Sequence, residues 1–182
     1  MREVKFSYTR PGGDRLYHVT EEDIRIVLSR MPDEATNRLR RVHFNDRTQL
    51  NALGYVTRGH REIALCALPP RLSFTRSLSK GESCAEFGAV RGTQWPELAV
   101  RRFILYGVFL HELGHLQVIK NNKTQKLSFA MEKLADEFAH YWRRRLWMEQ
   151  FDHPDPVHNA PTEFNMNTRQ VLQTIQNSIY KM

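Results

Sequence analysis

With 182 residues, 26% of them charged, and a formal net charge of +7, the chain suits a single domain with a core of moderate size that needs no staples. Its longest apolar run, Phe103 to Leu110, is too short to cross a bilayer, and the polar N-terminus lacks the apolar stretch of a secretion signal. The expectation is a soluble cytoplasmic protein without membrane association, in which Cys66 and Cys84 stay free thiols because their spacing makes no disulfide framework.

In chain order, residues 1–19 read as an irregular arm around Pro11, Gly12, Gly13 and Asp14. Thr20 followed by Asp23 resembles a helix cap, and Ile24, Val27, Leu28 and Met31 give a short amphipathic helix that Pro32 stops. A shorter helical stretch is expected from Asp33 to Arg40, then a short strand from Arg41 to Asn45. Leu53 to Thr57 and Glu62 to Leu68 flank the turn-like residues Arg58 to Arg61 and read as a hairpin, ended by Pro69 and Pro70. Residues 73–92 lack periodicity and read as a loop that can border a cleft.

One helix is expected from about Glu97 to Lys120, with Pro96 suiting its start and Glu97 complementing the positive helix end. Leu105, Val108, Phe109, Leu113, Leu116 and Ile119 recur at helical spacing through His111-Glu112-Leu113-Gly114-His115. Two imidazoles at i and i+4 project from one helix face and can share a metal ion, while Glu112 beside them is the candidate general base. Gly114 costs helix stability, and the sequence offers no packing reason for it.

A catalytic zinc site takes three protein ligands and keeps a fourth position open. A further His six residues after His115 is missing, since Val118 and Asn121 occupy the relevant positions, which excludes the metzincin arrangement. After a polar connector, Asn121 to Lys126, a second amphipathic helix is expected from Leu127 to Trp147, carrying Glu132, Asp136, Glu137 and His140. Glu132 and His140 stand roughly 12 Å apart along the axis and cannot both bind one ion. Glu132 is assigned to the metal and Asp136, one turn on, to the imidazole N–H of His111; His140 or Glu137 as third ligand is the competing assignment. Residues 151–161 read as an extended connector, and Val171, Leu172, Ile175 and Ile179 mark a last helix over residues 168–180.

The His111 to His115 motif, followed by Glu132-Lys133-Leu134-Ala135-Asp136-Glu137-Phe138-Ala139, resembles the paired signature of gluzincin metallopeptidases, especially the compact ImmA/IrrE-type group. Arg101-Arg102-Phe103 echoes the Arg-Arg-Phe that precedes the metal helix in that group. The resemblance covers residues 97–142 and implies an α+β fold: a small single-domain zincin whose short twisted sheet packs on an active-site helix and a second, ligand-bearing helix. It also implies Glu132 as a zinc ligand. One Zn2+ held by His111, His115 and Glu132 is therefore expected, with Glu112 taking the proton from the attacking water and passing it to the leaving amine.

If Glu62 to Leu68 is the rim strand of such a cleft it can pair with an extended peptide, and Ile63, Ala64 and Leu65 are then the expected substrate-binding residues; the alternative is an internal strand with both edges occupied. A second donor to the scissile carbonyl is not singled out by spacing among His60, Tyr55, Tyr106, Tyr141, His140, His153 and His158. The expected partner is a protein or peptide substrate. Arginines, including Arg143, Arg144 and Arg145, are spread along the chain and point in different directions on a helix, so nucleic acid is a secondary expectation. The alternative reading is a zincin-fold binding, toxin-related or regulatory module with little proteolysis, DNA-associated as in SprT-like proteins.

Overall fold

The computed structural model describes residues 3–46, 52–57, 59, 61–118, 127–149 and 151–161. The turn residue His60, the connector 121–126 and the helix expected over residues 168–180 lie outside the described residues.

The fold is α+β. Four strands, β1 (Lys5–Tyr8), β2 (Arg41–Asn45), β3 (Gly54–Thr57) and β4 (Glu62–Cys66), form a mixed sheet in the order β1-β2-β4-β3. β1, β2 and β4 run parallel, and β3 returns antiparallel to β4 with Gly54 opposite Leu65 and Val56 opposite Ile63. Residues of one face, Val42, Phe44, Ile63 and Leu65, join the apolar core together with Leu105, Phe109 and Leu113 of the helical layer.

β1 corrects the expectation of an irregular N-terminal arm. The charged residues Glu3 and Lys5 conceal a strand whose Tyr8 ring stacks on Phe44, centroids 4.6 Å apart, while Tyr17 meets the same ring edge-on. Helix α1 (Glu21–Ser29) starts as expected: the Thr20 hydroxyl accepts from the Asp23 N–H at 3.1 Å and the Asp23 carboxylate accepts from the Thr20 N–H at 2.8 Å. α2 (Asp33–Thr36) is shorter than the stretch expected to reach Arg40.

The long helix is continuous from Glu97 to Val118 but not uniform. α3 (Glu97–Arg102) leads into a π-helical segment, Phe103–Phe109, and then into α4 (Leu110–Val118). All seven residues of the π segment are buried. Gly107 gives it room, because a Cβ there would lie 2.8 Å from the Phe103 ring. That ring in turn packs against Phe74, Phe87 and Trp95. Wide turns of this kind re-aim the residues that follow, here the His111 to His115 motif.

α5 (Leu127–Met148) packs along α4. Gly114 is where they approach most tightly: a Cβ would stand 3.0 Å from Ala135 Cα and 3.1 Å from both Ala135 O and Phe138 Cβ. This supplies the packing reason that the sequence conceals, since the partner surface lies on another helix. Residues 151–161 are more than the extended connector expected. They carry a 3-10 turn, Pro156–His158, with Val157 and His158 buried and the Pro156 and Asn159 carbonyls accepting from Arg102. Both cysteines are buried free thiols, and among the described residues no helix is long and apolar enough to cross a membrane.

Candidate metal centre

α4 projects His111 and His115 toward α5, as i and i+4 spacing dictates, and their Nε2 atoms stand 3.0 Å apart. Glu132 closes the triangle, with Oε2 3.3 Å from His111 Nε2 and Oε1 3.4 Å from His115 Nε2. For ligands about 2.0–2.1 Å from a zinc ion in tetrahedral array, donor atoms lie roughly 3.3 Å from one another. The three side chains thus already have the spacing of three corners of such a site.

Asp136 lies behind His111, with Oδ1 2.8 Å from Nδ1. Its carboxylate accepts the Nδ1 hydrogen, which leaves the Nε2 lone pair of His111 aimed at the cluster. The Ser79 hydroxyl donates to the same Asp136 oxygen at 2.8 Å and so fixes the carboxylate in turn. Among the described residues no lysine or arginine ion-pairs with Glu132 or Asp136, so no protein cation neutralises this concentration of acceptors. A divalent cation suits that vacancy of charge.

Glu112 is buried beside His111 and lines the same cavity. Burial pushes its carboxyl up to about 7, with the neighbouring His111 opposing and the negative Glu132 adding to the rise. A carboxylate tuned to that range is matched to general-base work near neutral pH.

The cavity, about 190 Å³, runs between Gly54, the π segment, α4, α5 and the loop before the 3-10 turn Cys84–Phe87. Ser77, Ser79 and Glu82 line it, as does Asp136, so the aperiodic loop does border the cleft. Gly54 admits the helix: a Cβ there would lie 2.9 Å from Val108 Cγ1 and 3.3 Å from Glu112 Cγ. A glycine inside a strand pattern is the signal of close backbone approach that could have found this position. Ser79 and Glu82 carry no comparable signal, because loop residues gain their roles only from the fold.

The rim strand requires correction. β4, with Ile63, Ala64 and Leu65, pairs with β2 on one side and β3 on the other, so its main chain is already engaged. Among the described residues, the edge of the sheet beside the cavity is β3, which covers Glu112 at Gly54. Parallel pairing of β2 with β4 across a long sequence separation is what hid this from local pattern.

The competing ligands fall elsewhere. His140 Nε2 lies 3.3 Å from Glu82 Oε1, and Glu137 is exposed and faces Lys133 at 3.6 Å. Of the candidate carbonyl donors, Tyr55, Tyr106, Tyr141, His140, His153 and His158 do not line the cavity; Tyr55 meets Asn45, and Tyr106 meets His158. Arg143 is nearly fully buried, its guanidinium joined to Glu82 at 2.6 Å and Glu86 at 2.8 Å, rather than solvated with its neighbour Arg145. Burial raises the Glu82 carboxyl, but the hydrogen bond with His140 and the Arg143 charge outweigh it and hold the group at about 2.

Comparison with known proteins finds no matching family model, no matching curated protein and no matching solved structure.

Proposed function

We propose that this chain is a zinc-dependent metallopeptidase that hydrolyses peptide bonds of an intracellular protein. The observation that carries the reading is the convergence of His111, His115 and Glu132 at 3.0–3.4 Å with Glu112 buried alongside. A zinc ion bound there supplies Lewis acidity toward water and a carbonyl oxygen. Glu112 accepts the proton of the attacking water and delivers it to the leaving amine nitrogen. Asp136, braced by Ser79, keeps the His111 ring in its ligating tautomer. An extended substrate adds to the β3 edge by main-chain hydrogen bonds, and one of its side chains enters the cavity lined by Val108, Phe103 and Ala139.

The test compares new protein termini in cells expressing the wild-type chain and the Glu112→Gln variant, alongside zinc content of both purified proteins. The expected result is equal zinc and cleavage products from the wild type only. Cleavage that persists undiminished in the variant contradicts the mechanism.

A further inference from the structure

Away from the metal centre, residues 71–76 and 91–94 enclose an open concavity of about 780 Å³. Arg71, Arg76 and Arg91 line it together with Ser73, Thr75, Thr93 and Gly92, and none of the lining residues is acidic. All three arginines are exposed, and among the described residues none has an ion-pair or hydrogen-bond partner. This contrasts with Arg25 and Arg41, which pair with Glu21 and Glu62, and with the buried Arg143. Three guanidinium groups around one hollow repel one another unless an anion lies between them.

The rims are held in place before any ligand arrives. Phe74 and Trp95 are buried and meet edge-to-face at 5.5 Å, and the Trp95 backbone N–H donates to the Leu72 carbonyl at 2.9 Å. Gly92, at φ +82°, supplies the left-handed turn that brings Arg91 and Thr93 to the opposite rim. Ser73 and Thr75 share one hydrogen bond at 3.3 Å, which leaves one hydroxyl hydrogen of the pair for a ligand.

We propose that this concavity binds the phosphodiester backbone of duplex nucleic acid. Guanidinium and hydroxyl donors are the groups that engage phosphate oxygens. The hollow is too wide and open for one inorganic phosphate, and its lining has no exposed aromatic ring on which single-stranded bases would stack. It also offers no apolar anchor pocket of the kind that fixes an acidic protein partner. The net charge of +7 adds long-range attraction for a polyanion. The segment bearing Arg71 and Arg76 continues into Ser77 and Ser79 of the cavity beside Glu112, so duplex binding would concentrate DNA-associated proteins at the proposed hydrolytic site. The binding itself stands without that reading.

Fluorescence anisotropy with the full chain and a labelled duplex of about 20 base pairs tests this. Three phosphate contacts predict a log–log salt slope of about −2.7, or roughly 40-fold weaker binding on going from about 50 to about 200 mM salt. Joint replacement Arg71→Gln, Arg76→Gln and Arg91→Gln should weaken binding at least tenfold and flatten the slope. The charge-matched variant Arg25→Gln, Arg41→Gln and Arg145→Gln should bind like wild type, as should Glu112→Gln whether or not it hydrolyses anything. No binding by the wild type, equal loss in the charge-matched variant, or tighter binding of polyglutamate than of duplex would each overturn the proposal.

Discussion

The two ends of the long helix handle histidine and carboxylate in opposite ways. At its start, Arg101 reaches Asp23 at 3.1 Å and Asp155 at 2.7 Å, while His158 lies 3.4 Å from Asp23 and 3.2 Å from the Tyr106 hydroxyl. That cluster contains its own cation and ties the segment around Pro156 to α1 and α3. At the other end, Glu132 and Asp136 crowd against His111 and His115, and among the described residues neither carboxylate ion-pairs with an arginine or lysine. The same residue types therefore form an ion-paired structural network in one place and, in the other, a cluster of imidazoles and carboxylates whose spacing could hold a metal ion. Whether charge is balanced from within separates a brace from a candidate active site more sharply than residue identity does.

The largest expected effect is acid unfolding, to which ion-paired carboxylates of both regions contribute: Asp23 at the start of the helix, and Glu82, paired with Arg143, beside the cavity. Burial raises the Asp23 carboxyl, yet the hydrogen bond with His158, the Thr20 N–H and the Arg101 charge hold it at about 2, below its ordinary 3.8; Glu82 is likewise held at about 2, below 4.5. Because both folded values are lowered, their stabilisation is complete above about pH 5 and is lost as pH falls toward about 2, together on the order of 5 kcal/mol if additive. Denaturant titrations across that window should show the decline, and Glu82→Gln should flatten it. Next, Glu112→Gln should lower the hydrolytic rate by about a thousandfold with unfolding stability unchanged or increased, as expected where a buried carboxylate serves chemistry rather than folding. Arg101→Met should do the reverse: it leaves Asp23 buried without its cation and costs about 3 kcal/mol in chemical denaturation, with zinc affinity retained. The smallest shift is that of Asp136→Ala, which should weaken zinc binding roughly 10–100-fold in a competition titration, while leaving the unfolding of the metal-free chain little altered.

Much of this division was legible in the sequence, and where it was not the reason is physical. His111, Glu112, His115, Glu132 and Asp136 could be grouped because their spacings are local to two helices, and helical geometry converts spacing directly into direction. The Thr20–Asp23 cap was readable for the same reason. β1 was missed because its partner, β2, lies more than thirty positions away and its side chains are only partly buried. Whether Glu62 to Leu68 was a rim or an internal strand stayed open for the same reason, since only the sheet order tells that β4 is internal and β3 lies at the edge. Gly54 and Gly114 were visible as glycines but not as contacts, because the atoms they admit, Glu112 Cγ and Ala135 Cα, belong to other elements. That Arg143, Arg144 and Arg145 point in different directions was readable, but not that Arg143 is the one buried, because its partners Glu82 and Glu86 come from a distant loop.

The most direct measurement is a zinc titration of the metal-stripped chain by calorimetry, in wild type and in the Glu132→Ala and His140→Ala variants. The account predicts one zinc ion per chain, a large loss of affinity when Glu132 is removed, and wild-type binding when His140 is removed. Wild-type protein that takes up no zinc, or binding that depends on His140 and not on Glu132, would contradict it.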